Sequence, residues 1–402
     1  MRQLAATGVG ELREEPLSVL AYRPLAASCR VGTAQISLSA VGLQFTASGS
    51  ATGRAVYLGA PESVDDIRRF EDRGVVLHDV IAVFHCLYPY LLLPYLIERG
   101  VAGVVVVSDA PGELISHYAA QMYPPARAPL FDDRPLAVPG VPVNGAQARH
   151  LLAEVCNCGA ELALEHTAEY VVVDTANVVA EIPGRDPASR VVVGAHYDTQ
   201  LDCPGGCDNA TGIAALLELA SLAAKTEPLR TIVFVAFADE EHGFAGSTEY
   251  CLAHASELES IVGMVNLDAL GWALPAKRAL YADPAIRDLA FETASAAGWT
   301  PEEELEASIF PGSDHNPFID AGVPAAFYWR YPPGNPFYHT AGDIPEIVDL
   351  HLVSETASVA SRLVLRLAND EELAIGRSRP SRRWIDLRPG AETREPSYQE
   401  GA

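Results

Sequence analysis

Five short clusters of histidine and acidic residues lie in the second half of this sequence. They are His196-Tyr197-Asp198, Gly206-Cys207-Asp208-Asn209, Asp239-Glu240-Glu241-His242-Gly243, Asn266-Leu267-Asp268 and Tyr338-His339-Thr340-Ala341-Gly342-Asp343. Mixed imidazole and carboxylate ligands suit zinc, and less often cobalt or manganese. Each cluster alone is more often structural, but together they supply a ligand set for two metal ions: His196, Asp208, Glu241, Asp268 and His339. One Asp that bridges the ions, with one His and one further carboxylate for each, makes a two-metal site.

The residues around these ligands suit the same chemistry. Strand side chains alternate between faces, so His196 and Asp198 are expected to share one face, where the carboxylate would fix the tautomer of the imidazole. Asp208 opens a predicted helix, and the alternative interpretation of this residue is an N-cap. The three consecutive acids of the third cluster repel one another unless cations or solvent offset their charge. Glu240 and Glu241 can point in different directions, so that one binds metal while the other faces the reacting water.

The elements that must position these clusters alternate regularly from residue 190 onward. Strands are predicted at 190–195, 231–238, 261–267 and 325–328, and helices at 210–224, 285–297 and 347–368. Short, fully apolar strands separated by helices predict an α/β fold with a mostly parallel sheet covered by helices on both faces. Sites in such sheets form outside the carboxyl ends of the strands, and the five clusters fall there or in nearby loops.

Composition divides the chain into four segments. Residues 1–50 are predicted to be irregular, with one strand-like run at 34–45, and to be part of the C-terminal domain or packed on it. Residues 51–169 alternate strands and helices and are predicted to form a smaller α+β domain. Residues 170–375 carry the metal clusters and form the main domain. Residues 376–402 are rich in Arg, Pro, Ser and Glu, and we expect them to be disordered.

The charge of the chain limits its partners. Its 402 residues include 28 basic and 53 acidic side chains, which give a formal net charge of −25. Because so acidic a chain repels polyphosphate, nucleic acid is excluded as a partner. Residues 80–97 carry no charge, but Pro89 and Pro94 favour a strand that runs into a short helix over a membrane span. No membrane partner is therefore expected.

The N-terminus and the cysteines bear on the compartment. The first 13 residues contain no apolar core flanked by basic residues, and thus no secretory signal. The chain as given is expected to be cytoplasmic, or secreted if its start is truncated. Seven cysteines in a chain of this length do not make a disulfide scaffold. The pairs Cys156 and Cys158, and Cys203 and Cys207, could each form a metal or redox pair, and a local disulfide is an alternative for the second pair. Free buried thiols are favoured for both pairs.

The order of the motifs H-x-D, G-C-D-N-x-x-G, D-E-E-x-G, N-L-D and Y-H-T-x-x-D resembles the di-zinc metallopeptidase family of bacterial leucyl aminopeptidase and glutamate carboxypeptidase. The resemblance covers about residues 176–368 and implies an α/β/α sandwich that holds two zinc ions. The ligands that it implies are Asp208 bridging both ions, His196 and Asp268 completing one, and Glu241 and His339 completing the other.

The same resemblance implies roles for residues around the ions. Glu240 corresponds to the general base, with Asp198 supporting the site, and Tyr338 to a tyrosine that polarises the scissile carbonyl. The motif Ser313-Asp314-His315-Asn316-Pro317-Phe318 matches a family loop near the substrate. Asp314 and His315 are therefore expected to line the substrate site.

A second resemblance covers roughly residues 50–165. The motifs Ile97-Glu98-Arg99-Gly100-Val101 and Val138-Pro139-Gly140-Val141-Pro142-Val143 are similar to parts of a protease-associated domain. Such a domain is often inserted in these peptidases, which implies a lid or an interaction surface. Two features depart from the family: its usual initial helix is missing or shortened, and Cys207 replaces a small or polar residue.

The predicted activity is hydrolysis of peptide bonds, and release of N-terminal amino acids is favoured. An aminopeptidase needs an acid for the free ammonium, which Glu240 or the loop at 302–304 would supply. A carboxypeptidase instead needs a cation for the terminal carboxylate, and Arg330 is the candidate. Dipeptidase or amidohydrolase activity at the same site stays open. So does a non-catalytic binding protein, although such a protein would be expected to have lost Glu240 or a ligand. The sequence leaves the oligomeric state and the preferred side chain undecided.

Overall fold

The computed structural model describes residues 1–32, 34–36, 42–86, 88–108, 110–117, 138–158, 160–273, 276–306, 312–331, 335–381 and 384. Its helices are α1 Arg2–Ala6, α2 Val64–Glu71, α3 Leu93–Glu98, α4 Gly145–Cys158, α5 Ala210–Ala223, α6 Ala245–Ala253, α7 Arg287–Ala296, α8 His315–Asp320 and α9 Leu350–Asn369. Its strands are β1 Glu11–Val31, β2 Ala34–Ile36, β3 Gly49–Tyr57, β4 Val80–His85, β5 Gly103–Val107, β6 Gly140–Val143, β7 Glu161–Ile182, β8 Asp186–His196, β9 Arg230–Phe237, β10 Ile261–Asp268, β11 Lys277–Ala282, β12 Glu303–Glu306 and β13 Ala325–Tyr331.

The strands form one mixed sheet, in the order β12-β11-β13-β10-β8-β9-β7-β3-β4-β5-β6, with β1 paired to β7 and β2 paired to β1. The segments β13-β10-β8-β9 and β3-β4-β5-β6 are parallel within themselves. β7 joins them because it pairs antiparallel with both β9 and β3. The predicted α/β class, a sheet flanked by helices, is confirmed.

Apolar side chains cover both faces of each parallel segment. In the C-terminal part, one core lies between the sheet and helices α5, α7 and α9, and a second core lies on the opposite face with α6 and α8. In the N-terminal part, α2 and α3 cover one face of β3–β6 and α4 covers the other. Burial on both faces explains why these strands are fully apolar rather than alternating. The segment boundaries at residues 50, 169 and 375 remain predictions.

The first 50 residues differ from the prediction of an irregular segment. β1 runs for 21 residues and pairs with β7 from Glu11↔Glu181 to Val31↔Leu162, which makes a long two-stranded ribbon between the two parts of the chain. Two prolines, Pro16 and Pro24, hid this strand, because proline is tolerated on an edge strand but suggests a break in a sequence. The register shifts between Pro24 and Ala26. The run predicted at 34–45 contains β2, and residues 37–41 lie outside the described residues.

The start of the C-terminal tail also differs from the expected disorder. The Arg377 guanidinium donates to the carbonyls of Leu258 and Ile261, and the Ser378 hydroxyl donates to the Asp283 carboxylate. Trp384 is buried in the core beside α8. Residues 376–381 and Trp384 are therefore held by a few specific polar contacts and one buried tryptophan, despite their polar composition. Residues 385–402 lie outside the described residues.

The uncharged run at 80–97 folds as predicted. It forms β4, a 3-10 turn at Pro89–Leu91 and α3. Within the described ranges, no helix combines the length and the hydropathy that a membrane span requires. Cys203 and Cys207 are free and buried, as predicted, whereas Cys156 is free but exposed, so the prediction of its burial is wrong.

Candidate metal centre and active site

The predicted ligands meet at one edge of the sheet. His196 is the last residue of β8, Asp268 is the last residue of β10, and Glu241 lies shortly after β9. Because these three strands are parallel neighbours, their carboxyl ends lie side by side. Asp208 comes from the loop before α5, where Asn209 rather than Asp208 caps the helix by accepting the Gly212 N–H. The N-cap interpretation of Asp208 is thereby replaced.

The two oxygens of Asp208 face two different His–carboxylate pairs. On one side, His196 Nε2 lies 3.2 Å from Asp208 Oδ1 and 3.3 Å from Asp268 Oδ1. On the other side, His339 Nε2 lies 3.4 Å from Asp208 Oδ2 and 3.3 Å from Glu241 Oε2. We call these the His196 pole and the His339 pole. The arrangement divides the ligands as the resemblance implied.

These distances suit zinc. Ligands at about 2.0–2.1 Å from a tetrahedral ion are about 3.3–3.4 Å apart along each edge of the tetrahedron. Glu241 Oε1 is buried and has no hydrogen-bond partner, although Glu241 Oε2 does. Ligand atoms of His196, Asp208 and Glu241 lie within 4.8 Å of one another, and so do those of His196, Glu240 and Asp268. The donor set therefore fits two zinc ions, one at each pole.

Both histidines have the tautomer that metal binding needs. His196 Nδ1 donates to the Asp198 carbonyl at 3.1 Å, and His339 Nδ1 donates to the His117 carbonyl at 3.2 Å. A proton on Nδ1 leaves the lone pair of the neutral ring on Nε2, which faces the pole. His339 also has a left-handed backbone, with φ of 57°, a conformation that non-glycine residues rarely adopt and that concentrates at functional sites.

The carboxylates at the poles are held by hydrogen bonds from neighbouring groups. Asp198 Oδ1 accepts the Glu240 N–H at 3.0 Å, and its Oδ2 accepts the Glu241 N–H at 3.3 Å. The carboxylate of Asp198 thus orients the two glutamates, whereas its backbone carbonyl, rather than the predicted carboxylate, accepts from His196 Nδ1. The Ser313 hydroxyl donates to Asp268 Oδ2 at 2.9 Å.

Asp343 fixes the loop that carries the bridging carboxylate. Its two oxygens accept the backbone N–H groups of Cys207 at 2.7 Å and Asp208 at 3.0 Å. Asp343 is the last residue of the fifth sequence motif, and no role was predicted for it. Its place in that motif was a signal that could have identified it. Ser313 was missed in the same way.

Without cations, the electrostatics of the site are unfavourable. Burial, together with the neighbouring carboxylates of Asp268 and Glu241, raises the pKa of Glu240 well above its ordinary value. Burial and the charge of Asp208 likewise raise the pKa of Glu241. Asp208 is buried as well, but the neighbouring imidazoles of His196 and His339 hold its pKa below the ordinary value. Such a concentration of acids calls for positive charge at the poles.

The candidate substrate-binding residues have different surroundings. Tyr338 packs its ring 3.9 Å from the His339 ring, between centroids, beside the His339 pole. Asp314 is fully buried, and burial raises its pKa to about 8 against the opposing charge of His196. His315 is also fully buried and stacks on Phe327, so it belongs to the core rather than to an accessible lining.

The structure does not bring Arg330 to the site. Its guanidinium forms an ion pair with Glu355 of α9, on the sheet face that α5, α7 and α9 cover. Strand alternation explains the difference, because the adjacent Trp329 belongs to the opposite core, next to the metal centre. Glu302, in the loop proposed to bind an ammonium, pairs with Arg278 near Arg330.

Comparison with known proteins shows which peptidases the chain is similar to. Residues 177–364 match the sequence profile of peptidase family M28. The chain is 28% identical over 256 residues to a probable zinc metalloprotease of Pyricularia oryzae, which covers 49% of this chain and 50% of that protein. It is 30% identical over 191 residues to aminopeptidase YwaD of Bacillus subtilis. This match covers 45% of this chain and 42% of that protein. The chain therefore spans half or less of the length of these curated relatives.

A solved structure matches more of the chain. The aminopeptidase from Aneurinibacillus sp. strain AM-1 superposes with a TM-score of 0.68 at 21% identity, over 95% of this chain and 90% of that one. At this identity the similarity concerns the fold. It extends to the N-terminal part as well as to residues 177–364.

Proposed function

Because residues 177–364 belong to peptidase family M28, we propose that this protein is a zinc aminopeptidase that releases N-terminal amino acids from peptides. The observation that carries the proposal is the position of Asp208, whose two oxygens face the His196 pole and the His339 pole at 3.2 and 3.4 Å. Two ligand sets that share one carboxylate suit a pair of ions acting on one substrate.

Each ion has its own set of ligands in this proposal. His196 and Asp268 would hold one ion, Glu241 and His339 would hold the other, and Asp208 would contribute to both. When bound, the zinc ions would polarise the substrate carbonyl and lower the pKa of water.

Glu240 is the proposed general base. It is buried, and one of its carboxylate oxygens lies within 4.8 Å of ligand atoms of His196 and Asp268. Its backbone N–H donates to Asp198 Oδ1, which anchors the residue next to the His196 pole. There Glu240 accepts a proton from the attacking water and delivers it to the leaving amine. Tyr338, packed on His339, is proposed to contact the scissile carbonyl.

The charge of the site favours a substrate with a free N-terminus. The carboxylates around the poles belong to six residues, the half-buried Asp198 and the buried Asp208, Glu240, Glu241, Asp268 and Asp314. Their charge exceeds that of two divalent cations even with Asp314 protonated. The remaining negative charge attracts an ammonium and repels a terminal carboxylate. Arg330, the candidate cation for a carboxypeptidase, is paired with Glu355 on the other face of the sheet.

Hydrolysis of a small substrate panel tests the proposal. Leu-, Arg- and Glu-p-nitroanilide are compared with N-acetyl-Leu-p-nitroanilide and an N-blocked dipeptide, before chelation, after it and after return of zinc. We expect cleavage of unblocked anilides only, lost on chelation and restored by zinc. Cleavage of the blocked dipeptide alone would establish a carboxypeptidase instead. Silence on every substrate, with two zinc ions bound, would contradict the proposal and leave a peptidase with a specialised substrate or a non-catalytic binding protein.

A further inference from the structure

A chain of buried hydrogen bonds links the N-terminal part of the protein to one metal ligand. Gln44 lies before β3, and its side-chain Nε2 donates to Gln200 Oε1 at 2.9 Å. Gln200 Nε2 in turn donates to Glu241 Oε2 at 3.0 Å and to the Glu241 carbonyl at 3.3 Å. Gln44 and Gln200 are each only 2% exposed. The carboxylate at the His339 pole is thus held by two consecutive glutamines.

The other end of the chain is also a carboxylate. His242 Nε2 lies 2.8 Å from Gln44 Oε1, and His242 Nδ1 lies 2.8 Å from Asp239 Oδ1. An ionised carboxylate only accepts hydrogen bonds, so the amide nitrogen of Gln200 must face Glu241. Gln200 Oε1 is then an acceptor, Gln44 must donate to it, and Gln44 Oε1 accepts from His242. The direction of every bond is therefore determined, and Gln44 has no alternative orientation that keeps both of its partners.

The backbone of Gln44 is fixed within the N-terminal part. The neighbouring Leu43 donates its N–H to the carbonyl of Gly140, the first residue of β6, at 2.9 Å, and Ala47 donates to the Val138 carbonyl, just before β6, at 3.1 Å. Phe45 is fully buried and packs edge-on against the His242 ring, with 5.3 Å between centroids. The Gln44 amide therefore moves with the N-terminal part of the protein.

The second ligand of the His339 pole is supported from the same side. The carbonyl of His117, which lies between β5 and β6, accepts from His339 Nδ1, and the His117 N–H donates to the His339 carbonyl at 2.8 Å. The His196 pole has no such support in the described residues. There the Asp198 carbonyl accepts from His196, and Ser313, which itself accepts from Asn266, donates to Asp268, all within residues 177–364.

We propose that Gln44 is a positioning residue for Glu241. In this proposal the N-terminal part supports the ligands of the His339 pole but not those of the His196 pole. The inference rests on the proposed function, because it takes Glu241 and His339 as ligands of one zinc ion. Hydrogen bonds of this kind, one step removed from the metal, set ligand orientation and are worth about 10- to 100-fold in metal affinity. Removing the Gln44 amide leaves Gln200 Oε1 buried without its donor, so Gln200 loses its fixed orientation toward Glu241.

Zinc titration of the metal-free, full-length protein tests this proposal. Zinc is added in competition with a chromophoric chelator, so that the affinity of each ion is measured without reference to activity. In Gln44→Ala we expect one ion to bind as in the wild type and the other to bind about 10- to 100-fold more weakly. Gln44→Glu keeps the size of the side chain but removes the donor to Gln200, and it should give the same split.

Two further variants identify the pole. Ser48 lies close to Gln44 in the chain, and Ser48→Ala removes an exposed hydroxyl that donates to the Ala168 carbonyl. In this variant the affinities for both zinc ions should stay at the wild-type values. Ser313→Ala removes the donor to Asp268 and should weaken the ion at the His196 pole instead. Anomalous zinc scattering from crystals loaded with one equivalent should then show the ion at the His196 pole in Gln44→Ala and at the His339 pole in Ser313→Ala.

The outcomes separate this inference from the proposed function. Wild-type affinities for both ions in folded Gln44→Ala and Gln44→Glu, or equal loss of both ions, would overturn the role of Gln44 while leaving the peptidase proposal intact. A wild-type protein that binds both ions as expected but cleaves no peptide would overturn the peptidase proposal only. A wild-type protein that binds no zinc would contradict both.

Discussion

The sheet has two sets of parallel strand ends, and they carry different side chains. In the C-terminal part, β8, β9 and β10 end in or lead to His196, Glu240 and Asp268, which converge without enough positive charge. In the N-terminal part, β5 and β6 lead to Ser108 and Asn144. Both sets are buried on two faces by apolar cores and have the same parallel geometry.

The neutral side chains of the N-terminal set satisfy backbone groups. Ser108 Oγ accepts the N–H groups of Ala110 and Ser116, and Asn144 Nδ2 donates to the Glu113 carbonyl. These bonds shape residues 110–117, and His117 contacts His339. Parallel architecture therefore supplies an edge where a site can form, but the side chains decide whether that edge reacts or supports. In this protein, the N-terminal part contacts His339, while the ligands of the His339 pole all come from the C-terminal part.

The largest effect should come from the reactive edge itself. Glu240→Gln keeps the size of the side chain but removes the base, so we expect kcat to fall by about 10²- to 10⁴-fold. Both zinc ions should remain, because Glu240 is not one of the proposed ligands. Turnover of Leu-p-nitroanilide and zinc content per chain measure the two properties. Unchanged turnover would remove Glu240 from the mechanism.

A smaller effect is expected from the support of the bridging carboxylate. Asp343→Asn replaces one of two acceptors for the Cys207 and Asp208 N–H groups by a donor, so zinc affinity should fall by about 10- to 100-fold. The matched control is Asp283→Asn, a buried aspartate that accepts from Ala285 and Ser378 away from the poles. If both variants bind zinc as the wild type does, Asp343 has no positioning role.

Substitution of Arg330 tests whether the sheet face that carries its ion pair is independent of the metal poles. Arg330→Met breaks the ion pair with Glu355, whose side chain is 43% exposed and can be rehydrated, so we expect a loss of about 1–3 kcal/mol in the free energy of unfolding. Because the pair lies on the face away from the poles, kcat/KM for unblocked anilides should change less than about twofold. Urea unfolding and steady-state kinetics measure these effects.

A control on α9, the helix that carries Glu355, completes this comparison. Arg366→Met breaks an exposed pair with Glu292 and should cost less than about 0.5 kcal/mol. A large rise in KM in Arg330→Met alone would return Arg330 to the substrate site and favour a carboxypeptidase.

The smallest effect concerns the ribbon that joins the two parts. His254, at the end of α6, lies 3.1 Å from Glu15 of β1, and the hydrogen bond to Glu15 raises the pKa of His254 above 6.5. The stabilisation is therefore fully present below about pH 6.5 and is lost as the pH rises through the folded-state pKa. Despite burial, His254 holds the pKa of Glu15 below 4.5, so Glu15 stays ionised at pH 5.5.

The measurement compares the wild type with His254→Gln. The difference in unfolding free energy should be larger at about pH 5.5 than at about pH 9, by less than about 1 kcal/mol because the pair is partly exposed. A difference that does not depend on pH would show that the ion pair does not stabilise the junction.

Much of the C-terminal part was predictable from the sequence. The apolar runs at 190–195, 231–238 and 261–267 became β8, β9 and β10, because strands buried on both faces have no polar residues to obscure them. β11 was not predicted, since its short run starts with the charged residues Lys277 and Arg278. The family predicted from the motif order is confirmed by the match over residues 177–364, whereas the protease-associated resemblance stays a prediction.

The ligands were predictable for a similar local reason. His196 and Asp268 end strands, and Glu241 follows one, so their positions along the chain already indicated one edge of a parallel sheet. Arg330 was misjudged because distance along the chain to His339 does not say which face of β13 a side chain occupies. Strand parity and the pairing with Glu355 decide that.

The sequence by itself determined the α/β class, the positions of the ligands at the strand ends and the chemistry that such ligands permit. These properties are local, since strand periodicity and residue type require no knowledge of distant contacts. Only the tertiary structure decided that the oxygens of Asp208 face two separate poles, and that Gln44 and His117 reach one of them. Gln44 and Gln200 are 156 residues apart, and His117 and His339 are 222 apart. Contacts over such separations depend on how two cores meet across a ribbon, which no local pattern encodes.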